Sequence, residues 1–334
     1  MKNKLLLTTA IASGMIISTA AISEVKISGD IEQTYRSVSY DVTANKIRGG
    51  AGLGAETNIG IAYTGSLDNG LAIKAGSVLE DGIADTEYLT LGTDTVSITF
   101  GQDTGNNLSS TVVPHVSDQD ATLYGPVNTD KSLDPSFENV HGGNAHDKRH
   151  ISFDAKAVGG TFTVRYAPSQ DTNRASDSGI DTTGTSGMEI LYAGSLGVEG
   201  LKFQLGMQRD TQENSSGTTD DTQLTKMGVA YNFGQIAVGV DRQQYDDGST
   251  TNSDTKSTRF GAVFAASDAI KLGARYTKTA VDGTSVDEKM KTLEVGYNLG
   301  GLGIELSVGK IENIANSNTS GDGDVVQLRT RQAF

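Results

Sequence analysis

The chain has 334 residues, with 27 Lys and Arg against 41 Asp and Glu, a formal net charge of −14, and neither cysteine nor tryptophan. Such acidity argues against a nucleic-acid partner, whose binders are usually basic. Without cysteine no disulfide can staple the fold, so a packed core or a closed sheet must hold it.

The chain opens on the basic stretch "MKNK", followed by the mostly apolar "LLLTTAIASGMIISTAA" and the small residues "AIS". The apolar run is too short, and too often broken by Ser, Thr and Gly, for a membrane-spanning helix, which needs about 20 apolar residues. Residues 1–23 therefore read as a secretory signal peptide, and 24–334 as the mature chain. That chain keeps 25 basic and 41 acidic residues, a net charge of −16.

From Val25 onward the recurring event is a short run with period-two alternation, as in a strand that shows its side chains to two faces. Sixteen strands are expected, at 25–40, 56–66, 71–79, 87–92, 96–101, 148–155, 161–167 and 188–196, then 201–208, 223–233, 235–242, 256–265, 269–277, 289–299, 302–310 and 325–334. In "LKFQLGMQ", Leu201, Phe203, Leu205 and Met207 alternate with Lys202, Gln204, Gly206 and Gln208. The connections alternate too. Tight turns such as "LDNG", "KAVGG" and "GG" separate long polar loops near 41–55, 80–86, 102–147, 168–187, 209–222, 243–255, 278–288 and 311–324. This gathers the long loops at one end of an up-and-down antiparallel sheet. All four prolines, Pro114, Pro126, Pro135 and Pro168, fall in loops, as residues that cannot donate to a ladder should. The eight long loops hold 27 acidic and 6 basic residues, so one end of the molecule is strongly acidic.

Alternation alone fits a soluble sandwich, with the apolar row in a core, or a membrane barrel, with that row in lipid. The even strand number, the short and long connections, the Lys, Arg and Gly of the polar rows, and export without cysteine favour the barrel. Tyr63, Phe100, Tyr166, Tyr231, Phe233, Tyr276 and Tyr297 sit near strand ends on the apolar row, as in an interfacial girdle. The expected fold is an all-β transmembrane antiparallel up-and-down barrel. A sheet in hydrocarbon can have no free edge, so the first strand should pair with the last. Sixteen strands enclose an aqueous channel rather than a filled interior.

At this point the residues resemble a family, the general porins of Gram-negative outer membranes, of the homotrimeric sixteen-stranded type. "EVKISGDIEQ" is similar to the porin first strand, and "EYLTLGTDTVSITFGQD" to the hairpin leading into the long third loop, with Gln102 where the family usually has Arg. "RHISFDAKAVGGTFTVRYAPSQD" matches the hairpin after that loop, and Phe334 matches the family's terminal assembly signal, although Gln332 stands where an aromatic is common. The resemblance implies that the third loop, here 102–147, folds into the lumen and narrows it. Asp118, Asp120, Asp130, Asp134 and Glu138 would then form an acidic constriction, faced by a basic wall of Lys26, Arg36, Lys74, Arg329 and Arg331. Acid facing base across a narrow opening would orient polar solutes and disfavour apolar ones. The resemblance further implies a homotrimer in outer-membrane lipid and lipopolysaccharide, assembled with periplasmic chaperones and the barrel-assembly machinery.

Other signals are weaker. His141, His146 and His150 lie near Asp147, but no helix fixes their spacing for a metal. "SGDGD" and "SDSGID" lack a full Ca²⁺-loop register, leaving only loose Ca²⁺ binding by acidic loops. No cofactor or metal site is expected. Nothing groups a nucleophile, a base and an orienting acid, so no enzyme is expected. The expected function is passive diffusion of small hydrophilic solutes and ions, with weak cation preference. A substrate-selective channel, and a non-conducting adhesin or structural β-protein, are the alternatives.

Overall fold

The computed structural model describes residues 24–40, 50–80, 83–102, 105, 107–108, 110–116, 149–168, 185–213, 219–246, 248, 254–313 and 322–334; the expected leader, 1–23, lies outside them. Sixteen strands follow in chain order. The first eight are β1 (Glu24–Tyr40), β2 (Gly50–Ser66), β3 (Ala72–Glu80), β4 (Ile83–Gly92), β5 (Val96–Gln102), β6 (His150–Ala157), β7 (Gly160–Ala167) and β8 (Thr185–Gly194). The rest are β9 (Leu201–Glu213), β10 (Thr219–Asn232), β11 (Ile236–Asp246), β12 (Thr255–Ala265), β13 (Ile270–Val281), β14 (Glu288–Asn298), β15 (Leu302–Glu312) and β16 (Gly323–Ala333). Each pairs antiparallel with its chain neighbours, and β1 pairs with β16, so the sheet closes into a barrel.

The two rows of each strand take opposite environments. Ile27 and Ile31 on β1, Leu205 and Met207 on β9, and Leu328 on β16 stand exposed on the outside. The polar rows face inward, where Gln204, Lys226, Asp241, Glu294 and Arg329 are buried. A soluble domain would show the reverse; apolar-out and polar-in is the arrangement a lipid solvent selects. Phe162, Tyr192, Tyr231, Phe233 and Tyr297 line the outside near the short turns. There the Tyr192 hydroxyl donates to the Val158 carbonyl at 2.8 Å, which keeps its polar tip out of hydrocarbon.

The ladders extend further toward the long loops than the apolar pattern indicates. β2 begins at Gly50 rather than near 56, and β9 and β10 stay paired as far as Glu213 and Thr219. The added residues are largely Gly, Thr, Gln and Asp, which read as loop because neither row is apolar beyond the lipid band. The loop expected over 80–86 likewise contracts. Glu80 pairs with Ile83, and a register shift at Val78 and Leu79 absorbs the irregularity.

The closing seam holds the chain's last residue. Phe334 N–H donates to the Gly29 carbonyl at 2.9 Å, and Gly29 N–H donates to the Phe334 carbonyl at 3.1 Å. The Phe334 ring lies over Gly29, where an added Cβ would stand 2.4 Å from the Asn58 carbonyl oxygen of β2 and 2.6 Å from Phe334 Cζ. Glycine at this place admits both the close β2 backbone and the terminal aromatic. Deleting Phe334 removes both hydrogen bonds and the ring, and should reduce the folded, heat-modifiable species on gels several-fold. Gly29→Val keeps the ending but crowds both the ring and the Asn58 carbonyl of β2, and should cost about 1–3 kcal/mol of barrel stability, as overpacking does. Unchanged folding of both variants would show that this seat does not matter.

Candidate functional site in the lumen

Part of the chain that follows β5 lies inside the barrel. The described residues 107–108 and 110–116 run along the inner wall from β8 to β14. The wall makes room for it with glycine. Gly206, Gly228, Gly239, Gly261, Gly273 and Gly296 occupy the inward rows of β9 to β14, one per strand. An added Cβ would stand 2.5 Å from Leu108 at Gly206, 2.5 Å from Val112 at Gly228, and 2.8 Å from Pro114 at Gly239. At Gly261 it would collide with Val113, and at Gly273 and Gly296 it would meet Val116 at 2.9 and 2.5 Å. Real Cβ atoms do not approach so closely, so the segment rests in a groove defined by missing side chains.

Polar groups fix its position along that groove. Gln204 Nε2 donates to the Asn107 carbonyl at 2.7 Å. Lys226 Nζ donates to the carbonyls of Leu108, at 2.6 Å, and Ser110. The Thr111 hydroxyl donates to Asp241 at 2.5 Å, and Val116 N–H donates to Glu294 Oε2 at 2.6 Å. Leu108 closes the near end by packing with the inward Leu191 and Leu224, all three almost fully buried. Backbone groups of an irregular segment thereby find partners away from bulk water, as buried backbone must. The anchoring charges are themselves matched: Glu189 pairs with Arg165, and Glu294 with Arg275 at 2.5 Å. Buried charges are tolerated when paired and hydrogen-bonded in this way.

Of the expected constriction, Asp118, Asp120, Asp130, Asp134 and Glu138 lie outside the described residues, as do His141, His146 and Asp147. The five basic residues, Lys26, Arg36, Lys74, Arg329 and Arg331, all occupy inward rows of β1, β3 and β16. Three of them have close partners. Arg331 makes a two-pronged pair with Asp30, both contacts at 3.1 Å. Arg329 meets Glu32 at 2.7 Å and Glu305 at 3.9 Å, and Arg36 donates to Gln327 at 3.2 Å. Lys26 and Lys74 are exposed to the lumen nearer the short turns. Sequence reasoning missed Lys226, Asp241, Glu189 and Glu294 as the holders of the loop. Their signal was faint: a charged residue and a glycine on the same inward row of successive strands. Among the described residues, no group of three or more His, Cys, Asp or Glu could hold a metal ion.

Lys226→Met keeps the apolar stem but strands two carbonyls. It should weaken the attachment by about 1.5–3 kcal/mol per lost charged bond. Gly261→Val should push the segment off the wall at a cost of about 1–3 kcal/mol. Both variants should fold, and single-channel recordings should show altered conductance and added open-channel noise. Currents identical to those of the unaltered protein would mean that this segment does not shape the pore.

Comparison with known proteins agrees with this architecture. A search of curated proteins returns no match. Among solved structures, the anion-selective porin of Comamonas acidovorans superposes with a TM-score of 0.68 at 17% identity, over 94% of this chain and 100% of that one. The in-vitro-folded trimer form of Vibrio cholerae OmpT gives 0.61 at 13%, over 93% and 99%. A mutant porin of Rh. blastica gives 0.59 at 14%, over 93% and 100%. The family model for Gram-negative porins matches residues 8–316. With this match over most of its length, and a closed sixteen-stranded barrel to accompany it, the chain belongs to the Gram-negative porin family.

Proposed function

We propose that this outer-membrane porin is a water-filled channel for passive diffusion of small hydrophilic solutes and ions, with a weak preference for cations. The observation that carries the reading is the segment 107–116 held along the inner wall. It narrows a lumen that sixteen strands would otherwise leave wide. The sign of the preference follows from where charge is left over. Much of the described wall charge is paired, as in Arg165–Glu189, Arg275–Glu294, Arg329–Glu32 and Arg331–Asp30. The loop 102–147 instead carries seven acidic residues against Lys131. An unbalanced negative loop in a narrow aqueous passage concentrates cations. Asp118, Asp120, Asp130, Asp134 and Glu138 are the proposed acidic side of the constriction, with Lys26 and Lys74 the basic groups left open opposite. The Comamonas porin is anion-selective, but at 17% identity the likeness carries the fold and not the charges of the lumen.

The working unit is proposed to be a homotrimer, the form named for the Vibrio structure. The leader 1–23 is proposed to be removed on export, and Phe334 to be read by the assembly machinery before it takes its seat at the seam. In planar bilayers the purified protein should conduct in uniform steps, grouped in threes. In a KCl gradient the reversal potential should have the sign of cation preference. Absence of steps in well-controlled membranes would overturn the channel reading. An anion-signed potential would overturn the charge assignment while leaving the channel intact.

A further inference from the structure

Most aromatic side chains of the barrel stand on outward rows, but Tyr88 on β4 stands on an inward one. Leu89, next to it in the chain, and Phe100, which pairs with Leu89, are exposed on the outer wall. Gly76, which pairs with Tyr88, shares the inward row of β3 with Lys74. The Tyr88 ring lies across that glycine: a Cβ at Gly76 would stand 2.7 Å from Tyr88 Cε1 and from its hydroxyl oxygen, and 2.8 Å from Cζ. Ala62 on β2 and Gly101 on β5 continue the same level of the wall, so the ring stands on a stretch otherwise bare of side chains larger than a methyl. Tyr88 is half-buried, and the inward residues 107–116, which follow β8 to β14, do not cover it. Tyr245 on β11 also faces inward, but it packs against Leu108, Leu191 and Leu224.

Charge stands beside the open ring. Lys74 pairs with Thr90, the next inward residue after Tyr88. Diagonal neighbours of this kind lie about 7–8 Å apart, within reach of a long side chain. Lys26 on β1 pairs with Ala62 and shares the level of the ring. Both lysines are exposed, and among the described residues neither they nor the Tyr88 hydroxyl has a hydrogen-bond or ion-pair partner. The arginines of the adjoining wall are matched instead, Arg329 by Glu32 and Arg331 by Asp30. The Thr90 and Thr99 hydroxyls are bonded to each other at 2.8 Å. An open aromatic face next to an unmatched ammonium suits a flat ring that carries a negative group. The ring gains offset stacking, and the group gains a point charge. A sugar would use the face and leave the lysines idle. An aliphatic acid would use the lysines and leave the face idle.

We propose that Tyr88, with Lys74 beside it, forms a subsite in the lumen for small aromatic carboxylates. It rests on the channel reading and adds a solute class to it. A weak excess of cations in the passage does not bar an anionic solute from a site of its own. The test records single-channel current through the full-length protein in planar bilayers while benzoate is added to one side. Cyclohexanecarboxylate supplies the charge without the aromatic face, benzyl alcohol the face without the charge, and glucose neither. Benzoate should reduce the current at a lower concentration than the other three. Tyr88→Leu should raise its half-blocking concentration about three- to tenfold, the loss expected for one aromatic pair, and should remove its advantage over cyclohexanecarboxylate. Tyr88→Phe, which keeps the face, should block as the unaltered protein does. Lys74→Gln should remove the advantage of benzoate over benzyl alcohol. Equal block by benzoate and cyclohexanecarboxylate, stronger block by glucose, or undiminished block of Tyr88→Leu would each overturn the subsite. If a variant fails to fold, the comparison of the four solutes on the unaltered protein decides. A protein that conducts without selective block loses only this subsite. A protein that does not conduct loses the channel reading. Saturation-transfer NMR of benzoate against cyclohexanecarboxylate on the detergent-folded protein, with Tyr88→Leu as background, then decides the subsite separately.

Discussion

Hydrocarbon offers no hydrogen bonds, and this constraint organises the molecule. Every backbone N–H and C=O that meets lipid must pair within the protein, so the sheet must close. Closure requires β1 to meet β16 in a fixed register, from Asp30 opposite Ala333 to Tyr40 opposite Gly323. That register in turn decides which side chains share the lumen. It brings Arg329 to Glu32 and Arg331 to Asp30, although about 300 residues separate these partners in the chain. The same rule governs the inward segment, whose irregular backbone is placed only where Gln204, Lys226 and Glu294 can satisfy it.

Much of this was legible in the sequence. Alternation gives both rows of each strand, and low proline with alternating connection lengths gives the up-and-down order. The rule that a sheet in hydrocarbon can have no free edge gives closure of the first strand on the last. Strand lengths were less legible, because residues such as Gln212 and Thr222 extend a ladder without extending an apolar row. The inward attachment was legible only in part. Glycines on polar rows suggested crowding, but a glycine does not say what crowds it. The contacts of Leu108 with Gly206 and of Val116 with Gly296 join residues far apart in the chain, and no local pattern encodes them. Arg329 and Arg331 illustrate the other gap. Their inward direction follows from alternation, but their neutralisation by Glu32 and Asp30 follows only from the register of a seam.

The lumen therefore combines two kinds of electrostatics. Along the wall, opposite charges sit within contact distance, and their fields largely cancel beyond a few ångströms. This arrangement keeps many charged groups inside a narrow space without a large net potential. A solute in such a passage responds mainly to the groups that are not matched. The wall pairs also hold the described inward residues in place, through Glu189 and Glu294.

The groove of missing side chains has a mechanical consequence as well. A thin cylinder of strands resists stretching along its ladders but flattens easily across its diameter. The segment from Asn107 to Val116 ties seven neighbouring strands to one stiff rib, bonded at Asn107, Leu108, Ser110, Thr111 and Val116. Among the described residues, these contacts prop the arc from β8 to β14 from within. A force that would flatten the barrel across that arc must break these bonds as well as bend the ladders.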